Sequence, residues 1–282
     1  MKEAVVFQSD FGLYDGAVSA MYGVAHSVCQ DLRLFDLTHE IPPYHIWEAS
    51  YRLVQTVHYW KPGTVFVSVV DPGVGTHRKS VVAKTKTGHF IVTPNNGTLT
   101  HLNREIGIDS IREIDETKNR LPRSGASYTF HGRDVYAYTA ARLASNTITF
   151  EEVGPELSIS HIVKLPMVEA SYNNQSIEGT IDILDIRFGN VWTNISRSLF
   201  ETLGISYGDF IEVIISCKQT EMYRETLRFC RTFLEVDRNQ SLLYVNSLDY
   251  IAIAMNQGSF ALQNQINTGT DWQIKCRKLP IV

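Results

Sequence analysis

Short apolar and β-branched runs alternate with helical stretches through the first half of the chain. Residues 4–9 (Ala-Val-Val-Phe-Gln-Ser), 32–37 (Leu-Arg-Leu-Phe-Asp-Leu) and 64–70 (Thr-Val-Phe-Val-Ser-Val-Val) read as strands. The last is valine-rich and carries no charge, as expected of a strand buried on both faces in a parallel sheet. Between them, Val18, Met21, Val24, Ala25 and Val28 recur at helical spacing behind a capping Asp15. Ala49, Leu53, Val54 and Val57 do the same within a helix over 46–59, which Pro62-Gly63 breaks. Residues 80–85 and 89–93 alternate as a strand pair around Gly88. Residues 94–97 form a turn, 98–105 a short helix, 115–127 a polar stretch and 135–145 a further helix. This order predicts an N-terminal α/β domain with a mainly parallel central sheet flanked by helices.

The pattern changes near residue 160. Residues 158–168, with Pro166, read as a connector. Beyond it lie short runs with little helical periodicity: 177–184, 191–195, 210–217, 226–234, 242–246, 250–255 and 272–276. Turn residues separate them, which fits a smaller C-terminal all-β barrel or sandwich. The expected division is 1–165 and 166–282.

Composition narrows the class. The 282 residues are 44% hydrophobic and 20% charged with a net charge of −4, which describes a globular chain with ample core. No basic run points to nucleic acid, and no apolar stretch has membrane length. The N-terminus enters a strand without a cleavage pattern, so the expected location is cytoplasmic. Four scattered cysteines fit neither a zinc ribbon nor a redox pair. All nine histidines lie between His26 and His161, so any histidine chemistry belongs to the first half.

Polar residues gather where strands end. Val70 gives way to Asp71-Pro72-Gly73-Val74-Gly75-Thr76-His77-Arg78, at the strand edge where open α/β sheets bind ligands. Asp71 and Arg78 are close enough along the chain to pair, either structurally or as part of a site. Ser9-Asp10, Thr38-His39 and Phe130-His131-Gly132-Arg133-Asp134 occupy comparable positions. Asp10 reads equally as a turn residue, His131 as a loop histidine, and Arg133-Asp134 as a surface pair or as helix N-terminal charges. His39 and His45 lack helical ligand spacing, so no metal site is expected. Pro-Gly-Val-Gly lacks the Gly-Lys-Ser/Thr of a phosphate loop; its glycines suit close approach of backbone to a bound molecule. In the second half, Asp185-Ile186-Arg187-Phe188-Gly189-Asn190 is unusually polar for a strand turn. Phe188 offers a stacking face, and Asn190 both donates and accepts, as a purine edge requires. A plain barrel turn is the alternative, as it is for Asn246-Ser247.

The motifs Asp10-Phe11-Gly12, Thr38-His39-Glu40-Ile41-Pro42, Asp71-Pro72-Gly73-Val74-Gly75-Thr76 with Arg78, Phe130-His131-Gly132-Arg133-Asp134, and Phe188-Gly189-Asn190 with Thr193-Asn194 occur in that order along the chain. Together they resemble the S-adenosyl-L-methionine hydrolase (adenosine-forming) family, which is related to the 5′-fluoro- and 5′-chloro-adenosyl synthases. The resemblance implies attack of water on C5′ of S-adenosylmethionine, giving adenosine and L-methionine without metal or cofactor. It also implies a homotrimer with sites between the N-terminal domain of one subunit and the barrel of its neighbour. Asp71, Arg78 and His131 match the water-activating triad, and Asp10 matches the aspartate on the ribose hydroxyls. Asp185 and Ser247 match positions at the methionine end, and Phe188 and Asn190 positions around adenine. Tyr44 falls at an aromatic wall position of the halogenating relatives.

The residue types suit that chemistry. A sulfonium departs as a neutral thioether and needs no acid, so the demand falls on holding and deprotonating water. A carboxylate at position 71 repels halide, which ranks hydrolysis above halide-dependent cleavage; a non-catalytic nucleoside-binding protein is the other alternative. Two positions depart from the family pattern: Asn95 stands where aspartate is usual, and Leu248-Asp249 follows Ser247 where halogenating relatives carry arginine.

Overall fold

In the computed structural model, which describes residues 4–279, the chain falls into two compact units, Met1–Leu165 and Pro166–Val282.

The first unit is built on β1 (Ala4–Ser9), which is buried along its whole length. Helix α1 (Ala17–Val28), β2 (Arg33–Thr38), α2 (Ile46–Val57), β3 (Val65–Val69), β4 (Ser80–Thr85), β5 (Phe90–Pro94), α3 (Thr100–Glu105), β6 (Ile108–Glu113), α4 (Tyr138–Ala144) and β7 (Glu156–Leu157) follow. The sheet order is β2-β1-β3-β5-β4-β6-β7. The first four strands are parallel, with Val5 level with Leu34 on one side and Val65 on the other. β4, β6 and β7 extend the sheet antiparallel.

Strand alternation sends side chains to two cores. Val5, Phe7, Val65 and Val67 pack with Val18, Met21 and Ala25 of α1 and with Ala140 and Ala141 of α4. Val6 and Phe66 pack with Leu53, Val54 and Val57 of α2, with Leu102 of α3 and with Leu99 just before it. The chain therefore leaves β1 toward one face and β2 toward the other. A crevice is expected where adjacent strand-end loops part in this way.

Element ends differ from the sequence expectation for local reasons. Asp15 is not the cap residue of α1: the helix starts after Gly16, although the Asp15 carboxylate still accepts from Ala17 N at 2.9 Å. Strand β6 was not anticipated, because only Ile108 and Ile111 of Ile-Asp-Ser-Ile-Arg-Glu are buried. The helix expected from 135 begins earlier, as a π-helical turn over Gly132–Ala137 that runs into α4.

The second unit contains β8 (Ser171–Asn173), β9 (Ser176–Asp185), β10 (Asn190–Ser196), α5 (Arg197–Glu201), β11 (Phe210–Cys217), β12 (Thr220–Phe229), β13 (Ser241–Val245), β14 (Tyr250–Met255), α6 (Phe260–Asn264) and β15 (Gly269–Lys278). Seven strands run β10-β14-β13-β12-β11-β15-β9 and close through the β9–β10 pairing; β8 hangs on β9. Closure removes the free sheet edges. Ile177, Ile181, Val191, Val213, Ile215, Ile253 and Phe260 fill the interior. β12 starts six residues before the expected 226, because Lys218 and Gln219 take positive φ and turn β11 directly into it. Its first half is exposed apart from Tyr223, so it carries little apolar signal. After Phe229, Thr232 and Glu235 form a capping box that ends the extended run expected to reach 234. Among the described residues no helix is long and apolar enough to cross a membrane.

Candidate functional site

The loops leaving β1 and β2 are tied to one another. Gly12 N donates to His39 O at 2.8 Å, Ser9 Oγ meets His39 Nδ1 at 2.7 Å, and Tyr44 N donates to Asp10 Oδ2 at 2.8 Å. His39 also lies 3.0 Å from Asp36 through Nε2, and His45 caps α2 by accepting from Glu48 N. Both histidines are therefore occupied as struts. No group of three or more potential metal-ligating side chains occurs among the described residues.

Asp71 sits just beyond β3, and Arg78 folds back onto it. Arg78 Nε donates to Asp71 Oδ1 at 2.8 Å, and Nη2 donates to Oδ2. The same Nη2 lies 3.0 Å from His131 Nδ1, and Nη1 donates to Ser80 Oγ at 2.8 Å. A guanidinium only donates, so His131 Nδ1 is an acceptor and a neutral ring carries its proton on Nε2. Tyr136 lies behind the pair, with its hydroxyl 3.4 Å from Asp71 Oδ2 and 3.3 Å from Ser80 Oγ. The Asp71 and Arg78 side chains are 5% and 11% exposed, so this ion pair is largely shielded from solvent.

Two glycines permit the arrangement. Gly75 has φ +75, and a Cβ there would meet the Tyr128 carbonyl oxygen at 3.0 Å. The expected close approach is thus to the neighbouring segment of the protein. At Gly132 a Cβ would stand 3.1 Å from the Phe11 ring, which packs edge-on against Phe130 at 5.7 Å. His131 immediately precedes the π-helical turn, a feature frequent at functional sites. Asp134 is fully buried and takes two bonds from the partly exposed Arg133.

Asp10, Tyr44, Asp71 and His131 line one cavity of about 370 Å³, with Phe11, Val74 and Phe130 as its apolar walls. Burial, with the charge of Asp71 adding to it, raises the Asp10 carboxyl above its ordinary value despite the bond from Tyr44 N. The His131 imidazole is lowered, mainly by burial. The charges of Arg78 and Arg120 also lower it, against Glu116 and Asp71. Burial lowers Arg78, but Asp71 together with Tyr136 and Glu116 more than offsets it and keeps the guanidinium firmly charged, and burial raises Tyr136, which remains a donor.

Asp185, Phe188, Asn190 and Ser247 line a separate hollow of about 810 Å³ in the second unit. Asn190 Nδ2 donates to Asp185 Oδ2 at 3.2 Å, which turns the amide oxygen away from that bond. Phe188 is 66% exposed, and Trp192 Nε1 donates to Tyr244 Oη at 3.0 Å beside it. Asn246 organises the Ser247 turn: its Oδ1 accepts from Leu248 N and Tyr250 N. Ser80, Glu116, Arg120 and Tyr136 in the first unit, and Arg187 in the second, were not singled out from sequence. Arg187 lay inside a quoted motif. Arg120, in a polar stretch, gave no signal at all.

Comparison with known proteins places the chain among relatives. Models described as the SAM hydroxide adenosyltransferase N-terminal and C-terminal domains match residues 5–154 and 179–273. The chain is 34% identical over 273 residues to an (R)-S-adenosyl-L-methionine hydrolase of Methanocaldococcus jannaschii, covering 89% of this chain and 95% of that protein. It is 27% identical over 289 residues to a fluorinase of Actinopolyspora mzabensis, covering 94% of each. An uncharacterized conserved protein from Thermotoga maritima, known from its crystal structure, has a TM-score of 0.87 at 32% identity, covering 97% of this chain and 100% of that one.

Proposed function

The chain belongs to the SAM hydroxide adenosyltransferase family, and from that premise we propose how its residues divide the reaction. It is an enzyme that hydrolyses S-adenosyl-L-methionine. The reading developed below is attack of water at C5′, releasing adenosine and L-methionine, in the cytoplasm.

The observation that carries the reading is that Asp71 and His131, joined by Arg78, meet Asp10 on one cavity. Asp10 receives the two ribose hydroxyls, donors that match the two oxygens of a carboxylate. Tyr44 walls the sugar. Water lies against the triad, in line with the C–S bond. Arg78 holds His131 through Nδ1 against the water site, and Asp71 accepts the proton as the C–O bond forms. The electron pair of the C–S bond leaves with sulfur as a neutral thioether, so the reaction requires neither a general acid nor a metal to absorb charge.

The second hollow suits the rest of the substrate. Phe188 stacks on adenine, and the Asn190 oxygen accepts from its exocyclic amine. Asp185 takes the methionine ammonium, while Ser247 and the exposed Arg187 take its carboxylate, since no arginine follows Ser247. Each hollow alone serves part of the substrate. The active site is therefore assigned to the first unit of one protomer and the second unit of a neighbour in a homotrimer.

The test is product analysis. Purified protein is expected to convert S-adenosylmethionine to stoichiometric adenosine and methionine, with 18O from labelled water appearing at the 5′ position and chelator leaving the rate intact. Formation of 5′-chloroadenosine in saturating chloride would replace this reading with halide-dependent cleavage. Bound adenosine with no turnover would replace it with a binding protein.

A further inference from the structure

Arg120 lies in the polar stretch between β6 and Tyr128, yet its side chain is 9% exposed and committed on every side. Nη1 donates to Glu116 Oε2 at 2.7 Å, Nη2 to Ser127 O at 2.7 Å and Nε to Ser124 Oγ at 3.2 Å. The guanidinium carbon sits 4.5 Å from the Tyr128 ring centre, a cation–π contact that fixes its plane. Nη1 also comes within 3.5 Å of His131 Nε2, while Arg78 Nη2 holds Nδ1 at 3.0 Å. Glu116 closes the circuit: its Oε1 accepts from Ser80 Oγ at 3.4 Å, and Ser80 accepts from Arg78.

We propose that Arg120 is a positioning residue that keeps the His131 ring neutral and oriented between two fixed guanidiniums, with Glu116 holding Arg120 in place. This rests on the reading of His131 as part of the water-orienting triad.

The ring has one bare nitrogen and one N–H when neutral. Arg78 donates to Nδ1, which leaves the proton on Nε2, facing Arg120 across 3.5 Å. Both groups there are donors at a long separation, so the contact is one of charge with little hydrogen bonding. A second proton would set an N–H against the Arg78 N–H and put a third cation between two. The His131–Arg78 contact then breaks, and the triad with it. The groups facing the ring are Asp71 and Arg78 from the loop after β3, Glu116 and Arg120 from the stretch after β6, and the rings of Tyr128 and Tyr136. Asp10 shares the cavity. Two carboxylates favour the cation; two guanidiniums and burial oppose it, and the neutral form prevails. Without Arg120, Glu116 faces the ring with its charge unanswered.

The experiment compares full-length Arg120→Met, Arg120→Lys and Glu116→Gln with wild type. Two quantities are read at each pH: the NMR titration of His131, assigned by its loss in His131→Asn, and kcat/KM for S-adenosylmethionine. Arg120→Met is expected to raise the His131 midpoint by about one unit, and to carry the acid limb of the rate profile upward with it. Glu116→Gln is expected to move both downward, and Arg120→Lys to restore most of the wild-type position. KM should change less than kcat, because Arg120 does not line the cavity. A midpoint unmoved in Arg120→Met, or moved in the same direction by Arg120→Met and Glu116→Gln, overturns the proposal. Should Arg120→Met fail to fold, the downward shift in Glu116→Gln decides. A midpoint that moves as expected while the rate profile stays fixed supports the positioning and sinks the role of His131 in turnover.

Discussion

Replacing Arg78 by lysine preserves the charge and removes the fork. Arg78 serves three partners from one plane: both oxygens of Asp71, Nδ1 of His131 and Oγ of Ser80. A lysine ammonium is a single point on a flexible stem and can keep at most part of that set. Losing two bonds to charged groups, at about 1.5–3 kcal/mol each, removes about 3–6 kcal/mol of preorganisation. At 1.4 kcal/mol per tenfold, turnover is expected to fall about 10²- to 10⁴-fold if most of that organisation acts on the transition state. Chromatography of adenosine and methionine gives kcat, and calorimetric titration with adenosine gives binding. Binding should change far less, since the contacts proposed for adenosine are Asp10 and the second hollow. Turnover within threefold of wild type would show that the bidentate geometry is not needed to hold the water.

Two further outcomes are expected. His101 is fully buried, with Ser50 Oγ at its Nδ1, and burial lowers it to about 3, with the charge of Arg104 adding to the effect. The unfolded chain takes up this proton near pH 6.5 while the folded chain does not, so stability is lost as pH falls from there toward 3. The slope is about 1.4 kcal/mol per pH unit, or about 2–3 kcal/mol between pH 6.5 and 4.5. Urea unfolding across that range checks it: His101→Phe should flatten the dependence, and an unchanged slope would remove His101 as its source. Arg187→Ala is expected to raise KM for S-adenosylmethionine about tenfold with little change in adenosine binding. An equal loss for both ligands would place Arg187 away from the carboxylate.

Much of the fold was legible because burial imposes pattern. β1 and β3 are covered on both faces, which leaves no place for charge, and their ends could be read to within a residue. β6 and the first half of β12 were not legible for the complementary reason. Their pairing is supplied by neighbouring backbone, through β4 and β11, while most of their side chains face water. A strand held by its neighbours' hydrogen bonds needs no apolar alternation of its own. The π-helical turn before α4 was hidden too, since Gly132–Ala137 differs from an ordinary helix start only in backbone geometry.

Legibility of the site divides along the same line. Asp71, Arg78 and His131 could be singled out because they lie at strand ends or inside compact motifs, and it was the family resemblance that grouped them. Their partners have no such signature. Ser80 lies in a strand, Tyr136 in a helical turn, and Glu116 and Arg120 in a stretch that reads as solvated linker. What recruits these four is a physical requirement: a shielded guanidinium–carboxylate pair beside a neutral imidazole leaves lone pairs and protons that need partners. Ser80 occupies Nη1 of Arg78, Tyr136 reaches the oxygen of Asp71, and Arg120 with Glu116 closes the far side of His131. The outer set is therefore implied by the inner one as a demand, although sequence spacing cannot say which residues meet it. It follows that outer residues should govern pH dependence and orientation, while inner residues govern whether the reaction occurs. Arg120 and Arg78, two guanidiniums on one ring, are the pair on which that distinction can be measured.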